Sequence, residues 1–196
     1  MKILALEKDV ESGILKQEHM CSAIACYPDT TLLRNNEDFY IPNFTQNISA
    51  NYGIFIQISK IGKCIEAQFA YRYIKSFGIA VKFFAADALE SNLYSNSIAK
   101  GFDKSFAVSK EQIDFSEKTL KEATLSFSCG SIKNTHKLSK ISKSIYTFIA
   151  ESTKYYTLKI GDYCYIPLGT IQNPVSLHQT INGSIDNIDF LNFKIS

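Results

Sequence analysis

The 196-residue sequence predicts an α+β protein rich in β-structure. Three observations carry that reading. Short runs dominated by aromatic and β-branched residues recur along the chain. One long segment repeats its apolar residues at helical spacing. Glycine (9) and proline (4) are scarce and dispersed, with no linker-like stretch and no repeat, so residues 1–196 read as one continuous domain.

Taken in order, Met1-Lys2-Ile3-Leu4-Ala5-Leu6-Glu7 is a short strand pattern. Ile54-Phe55-Ile56-Gln57-Ile58 is nearly apolar throughout and predicts a central strand. Residues 60–63 turn the chain at Gly62. Ala67, Ala70, Tyr71 and Ile74 fall at helical spacing and predict a helix over 66–76, with a strand following over 77–84. Residues 89–102 read as helix breaking into loop, and 123–129 as a strand ending at Gly130. Ile141, Ile145, Phe148 and Ile149 predict an amphipathic helix over 138–156. The strand Tyr163-Cys164-Tyr165-Ile166 is expected to break at Pro167 and Gly169, and 188–195 to form the last strand.

Composition narrows the function. Apolar residues make up 45% and charged residues 20%, which fits a folded globular chain rather than a disordered one. A net charge of +2, with lysines scattered as in Lys137, Lys140, Lys143 and Lys154, gives no footprint for nucleic acid. No apolar run approaches the ~20 residues of a membrane span, and the N-terminal strand pattern lacks a signal-type apolar core. The expectation is a cytoplasmic protein with neither nucleic-acid nor membrane partner. The odd cysteine count (Cys21, Cys26, Cys64, Cys129 and Cys164) without C-x-x-C spacing predicts reduced thiols. His19, His136 and His178 show no metal-ligand spacing and read as surface or loop residues, and Ser128-Cys129-Gly130 lacks the frame of a nucleophile elbow. Tyr155-Tyr156 and Phe83-Phe84 read as core aromatics.

Four segments carry a resemblance. Tyr27-Pro28-Asp29-Thr30-Thr31-Leu32-Leu33 is similar to K-P-x-S-A-L-L, and Ile98-Ala99-Lys100-Gly101-Phe102-Asp103 to A-K-x-F-D. Tyr156-Thr157-Leu158-Lys159-Ile160-Gly161-Asp162 is similar to L-x-x-G-D, and Phe39-Tyr40-Ile41-Pro42-Asn43-Phe44 to the approach to a metal-binding strand. In that order and with almost no gaps, the chain resembles the short single-domain bacterial members of the fumarylacetoacetate hydrolase family. The resemblance implies a mixed β-roll or sandwich with peripheral helices, usually a homodimer, and a divalent Mg²⁺ or Ca²⁺. It also implies hydrolase, isomerase or decarboxylase chemistry on 2-oxo or 1,3-dioxo carboxylic acids.

The same resemblance implies that the chemistry is altered. The family's two E-x-E metal ligands fall at Asn51 and Gly53, and its aspartate ligand at Phe83. An amide, no side chain and a phenyl ring offer little to a hard cation that needs anionic oxygen, so no metal cofactor is expected. The A-R-D-x-Q element reads Ala86-Asp87-Ala88-Leu89-Glu90, putting Asp87 and Glu90 where an arginine and a glutamine would meet an anionic substrate. The T-G-T-P turn becomes Ile166-Pro167-Leu168-Gly169, and no Tyr/His acid-base pair stands around Glu7-Lys8-Asp9. Lys100 and Asp103 match. Lys100 is either a remaining anion contact or a loop-fixing partner of Asp103, and the pairing is preferred because a lone lysine without a metal rarely makes a catalyst. Two functions follow. One is a catalytically degenerate homologue: a scaffold, a regulator, a homodimer, or a heterodimer partner of an active relative. The other is an enzyme or small-molecule binder for 2-oxo or dioxo acids with a site rebuilt from Lys100, Asp103, Asp87, Glu90 and Asn51.

Overall fold

A computed structural model describes residues 1–7, 23–90, 95–171 and 174–196. His19, Cys21, Lys8 and Asp9, singled out above, lie outside the described residues. The strands are β1 (Lys2–Leu6), β2 (Ile24–Pro28), β3 (Leu32–Leu33), β4 (Ile48–Ile58), β5 (Ile74–Ala85), β6 (Phe106–Val108), β7 (Ile113–Asp114), β8 (Thr124–Cys129), β9 (Ile132–Lys137), β10 (Tyr163–Ile171), β11 (Thr180–Ile185) and β12 (Ile188–Lys194). Among the described residues, four α-helices join them: α1 (Ala86–Glu90), α2 (Asn96–Gly101), α3 (Glu117–Glu122) and α4 (Ser142–Tyr155). The larger sheet runs β2-β1-β10-β4-β5-β6-β3 with β7 beside β5, and is mixed: β1 pairs β10 in parallel, β4 pairs β5 antiparallel. The second sheet runs β12-β11-β8-β9.

Side-chain alternation divides the larger sheet into two buried faces. Leu4, Leu6, Tyr52, Ile54, Ile56, Phe77, Ile79, Val81 and Phe83 belong to the main core shared with the second sheet and α4. Ile3, Ala5, Phe55, Ala80, Phe106, Val108, Tyr163 and Tyr165 form a separate cluster on the other face. Burial on both sides is why β4 and β5 read as nearly continuous apolar runs. Tyr52 of β4 stacks on Phe127 of β8 with ring centroids 4.0 Å apart, which ties the two sheets together. Its hydroxyl lies 3.0 Å from Nε2 of His136, so that histidine is a half-buried strand residue on β9 rather than a surface or loop one.

Two expected element limits shift. The helix expected over 66–76 is a 3₁₀ segment, Ala67–Tyr73, and Ile74 already opens β5. Ile74 pairs with Ile58 across the sheet, and this long-range ladder prevails over local helical spacing. β10 continues through Pro167 and Gly169 to Ile171 instead of breaking. The parallel pairing with β1 ends at Tyr165, so Pro167 has a strand on one side only, and a bulge against β4 absorbs its missing N–H. The helix expected over 138–156 is present as a 3₁₀ turn, Leu138–Lys140, followed by α4, with Ile145, Phe148 and Ile149 fully buried.

Candidate active site on the second face of the larger sheet

The ladder between β4 and β5 sets which residues meet. Asn51 lies opposite Lys82, Gly53 opposite Ala80, and Ala50 opposite Phe83. Asn51, Gly53 and Lys82 therefore share one face, and Phe83 points to the other. There its ring stacks on Phe39 at 3.8 Å between centroids and meets Phe193 edge-on. The residue beside Asn51 and Gly53 is thus Lys82, one position from the Phe83 that the sequence pattern indicated.

Gly53 is fixed by close approach. A Cβ built there would stand 2.1 Å from the carbonyl oxygen of Ile166 and 2.8 Å from Cα of Pro167, both backbone atoms of β10. No side chain fits without moving that strand.

Lys82 is 3% exposed although it sits in the middle of an apolar strand. A buried ammonium needs partners. Its Nζ donates to Glu7 Oε1 in an ion pair and to the Tyr27 hydroxyl at 2.9 Å, and lies 4.4 Å from the centre of the Tyr27 ring. Tyr27 in turn donates to Glu7 Oε1 at 3.0 Å. Lys100, on α2, donates to Glu7 Oε2 at 3.0 Å. One carboxylate thus holds two lysines and a tyrosine. Glu7 follows β1 with the same alternation as Ile3 and Ala5, which brings it to this face, and Phe106 lies directly across from Lys82 on β6.

The charges act on one another. Burial works to raise the Glu7 carboxyl, but the ammonium charges and hydrogen bonds of Lys82 and Lys100 outweigh it and leave it below its ordinary 4.5. Burial pulls the Lys82 ammonium from 10.5 down to about 8, against the opposing pull of Glu7 and with Lys100 adding to the fall. Burial, then the neighbouring Glu7 charge, pushes the Tyr27 hydroxyl well above its ordinary range. Asn51 Oδ1 is buried on this face without a hydrogen-bond partner, while its carbonyl oxygen accepts from the Tyr165 hydroxyl at 3.0 Å.

Other residues singled out in the sequence lie apart. Lys100 pairs with Glu7, not with Asp103 as expected. Asp103 lines a separate polar cavity of ≈ 530 Å³ with Asp29, Arg34 and Lys104. Asp87 accepts from the Thr45 hydroxyl and from the Gln46 N–H at 3.0 Å, tying the approach to β4 to the start of α1. Those bonds, Thr45 foremost, hold its carboxyl below its ordinary value. Glu90 is exposed at the end of α1.

The fold itself has solved counterparts. A protein from Yersinia pestis assigned to the fumarylacetoacetate hydrolase family superposes with a TM-score of 0.79 at 17% identity, over 100% of this chain and 92% of that one. This is the fold of the fumarylacetoacetate hydrolase family. The fumarylpyruvate hydrolase of Pseudomonas aeruginosa, solved with Mn²⁺ and pyruvate, has the same fold: its TM-score is 0.77 at 15% identity, over 99% of this chain and 88% of that one. The 5-carboxymethyl-2-hydroxymuconate delta-isomerase of Mycobacterium smegmatis matches with a TM-score of 0.79 at 18% identity, over 99% and 78%. No protein-family model and no curated protein matches the sequence.

The described residues beside Asn51 on this face do not fit a hard divalent cation. Asn51 offers one neutral oxygen, Gly53 has no room for a side chain, and the group across from Asn51 is itself a cation. Among the described residues, no three His, Cys, Asp or Glu side chains gather as a metal site.

Proposed function

We propose that the protein uses this fold without the divalent cation of its family, as a metal-independent homologue in which the Lys82 ammonium supplies the resident positive charge. The observation that carries the reading is the cross-strand pair Asn51 and Lys82, with Lys82 buried and ion-paired to Glu7. A cation beside Lys82 would meet like charge in a low-dielectric setting, where repulsion is strong. In this reading the chain is a cytoplasmic scaffold or regulator, acting as a homodimer or beside an active relative, without nucleic-acid or membrane partners. No helix among the described residues is long and apolar enough to cross a membrane.

The test is thermal unfolding with and without Mg²⁺, Mn²⁺ and Ca²⁺. The expected outcome is an unchanged Tm at millimolar ion and no effect of EDTA. Stabilisation by any of the three ions, reversed by EDTA, would refute the reading.

One observation favours a second function on the same face. Among the described residues, two ammonium groups share a single carboxylate, and Lys100 is 29% exposed. The surplus positive charge suits a small carboxylate ligand, such as the pyruvate held by the Pseudomonas aeruginosa hydrolase. Titration with 2-oxo acids, followed by Tm, tests it: a rise that Lys100→Ala abolishes supports binding at this face.

A further inference from the structure

We infer that Lys82 is a nucleophilic amine that captures a small carboxylate-bearing aldehyde or ketone as a covalent imine. The inference rests on the metal-independent reading above and gives it a chemistry. Lysine becomes a nucleophile when it is desolvated or placed beside another cation, and Lys82 meets both conditions. It is 3% exposed, packed over the Tyr27 ring and 5.6 Å from the centre of Phe106, and shares Glu7 with Lys100. Burial, with Lys100 adding to it, brings the ammonium down to about 8 and favours the neutral amine more than an exposed lysine would.

A proton path is already in place. Glu7 touches Lys82 and Tyr27 through one oxygen and Lys100 through the other. Glu7 takes a proton from the Lys82 ammonium. The freed nitrogen attacks the carbonyl carbon, a C–N bond forms, and the C–O π pair moves to oxygen. A second proton passes from nitrogen to that oxygen, giving the neutral carbinolamine. Glu7 returns its proton to the hydroxyl, which departs as water while the nitrogen lone pair closes the C=N⁺ bond. Ammonium plus carbonyl gives protonated imine plus water, with no oxidant or reductant. Asn51 Oδ1, unpartnered on the same face and across the ladder from Lys82, supplies an acceptor for the carbinolamine hydroxyl. Lys100, more exposed than Lys82, supplies the charge for the ligand carboxylate.

The test is reductive trapping on the whole chain. The protein is incubated with glyoxylate or pyruvate at pH 7, reduced with cyanoborohydride, and analysed by intact mass and peptide mapping. The expected result is one reduced adduct, on Lys82, absent from Lys82→Arg. Acetaldehyde and acetone, which lack the carboxylate, should label at least about tenfold less, the contribution of one charge-assisted hydrogen bond. Glu7→Gln should slow trapping at Lys82 without moving its position. No adduct, or adducts spread over surface lysines, overturns the inference. That result comes from the unmodified protein, so it does not depend on a variant folding. A Tm raised by Mn²⁺ defeats the metal-independent reading itself; an unmoved Tm with no adduct defeats only the imine.

Discussion

A lysine ammonium inside a sheet makes stability depend on pH in an unusual direction. In the folded protein Lys82 releases its proton near 8, against an ordinary 10.5. Between those values the unfolded chain binds more protons than the folded one, so this group makes the protein more stable as pH rises from about 8 toward 10.5. Below 8 both states hold the proton and the contribution is flat. Urea unfolding at several alkaline pH values should show that rise in the native protein and not in Lys82→Met. Glu7 acts at the other end. Its carboxyl is depressed when folded, so its stabilisation is present above 4.5 and is lost as pH falls through the folded value. None of this pairing was legible in the sequence, because Lys82 and Glu7 are 75 residues apart. The available signal was a lone lysine inside an otherwise apolar strand, where an unpaired charge is not tolerated.

At the scale of elements, the contact between β4 and β10 controls the floor of the site. Gly53→Ala would place its methyl 2.1 Å from a backbone oxygen, and neither strand can yield by a rotamer change. The expected loss is at least about 3 kcal/mol of folding stability by denaturant titration, at the upper end for overpacking. Elements with a strong local period were the legible ones. The apolar run of β4 and the helical spacing of Ile145, Phe148 and Ile149 are visible without tertiary contacts. β9 was not, since Ile132–Lys137 is a mostly polar edge strand with three exposed residues in succession. β11, Thr180–Ile185, carries a glycine in its middle that weakens any strand pattern. The register of β5 was legible to within one residue. That single step exchanges Phe83 for Lys82 and reverses the charge of the face.

For the whole molecule, the order of four weak motifs was enough to indicate the fold, because they mark successive points along the larger sheet: β2 and β3, the approach to β4, α2, and the approach to β10. The arrangement of charge on the second face needed the ladder as well. Self-association is the global property that the proposed reading predicts. Light scattering is expected to give twice the 22.1 kDa chain mass. A monomer that pairs only with an active relative would instead mark a regulatory subunit.

The seam between Gly53 and the β10 backbone also limits how this face can be redesigned. An acidic side chain introduced at Gly53 alone would unseat the neighbouring strand before any ion could reward it. The strand, in turn, gains nothing by retreating while a glycine faces it. Placing a side chain on this part of the face would require a change at Gly53 and a shifted β10 together, so a single substitution there does not suffice.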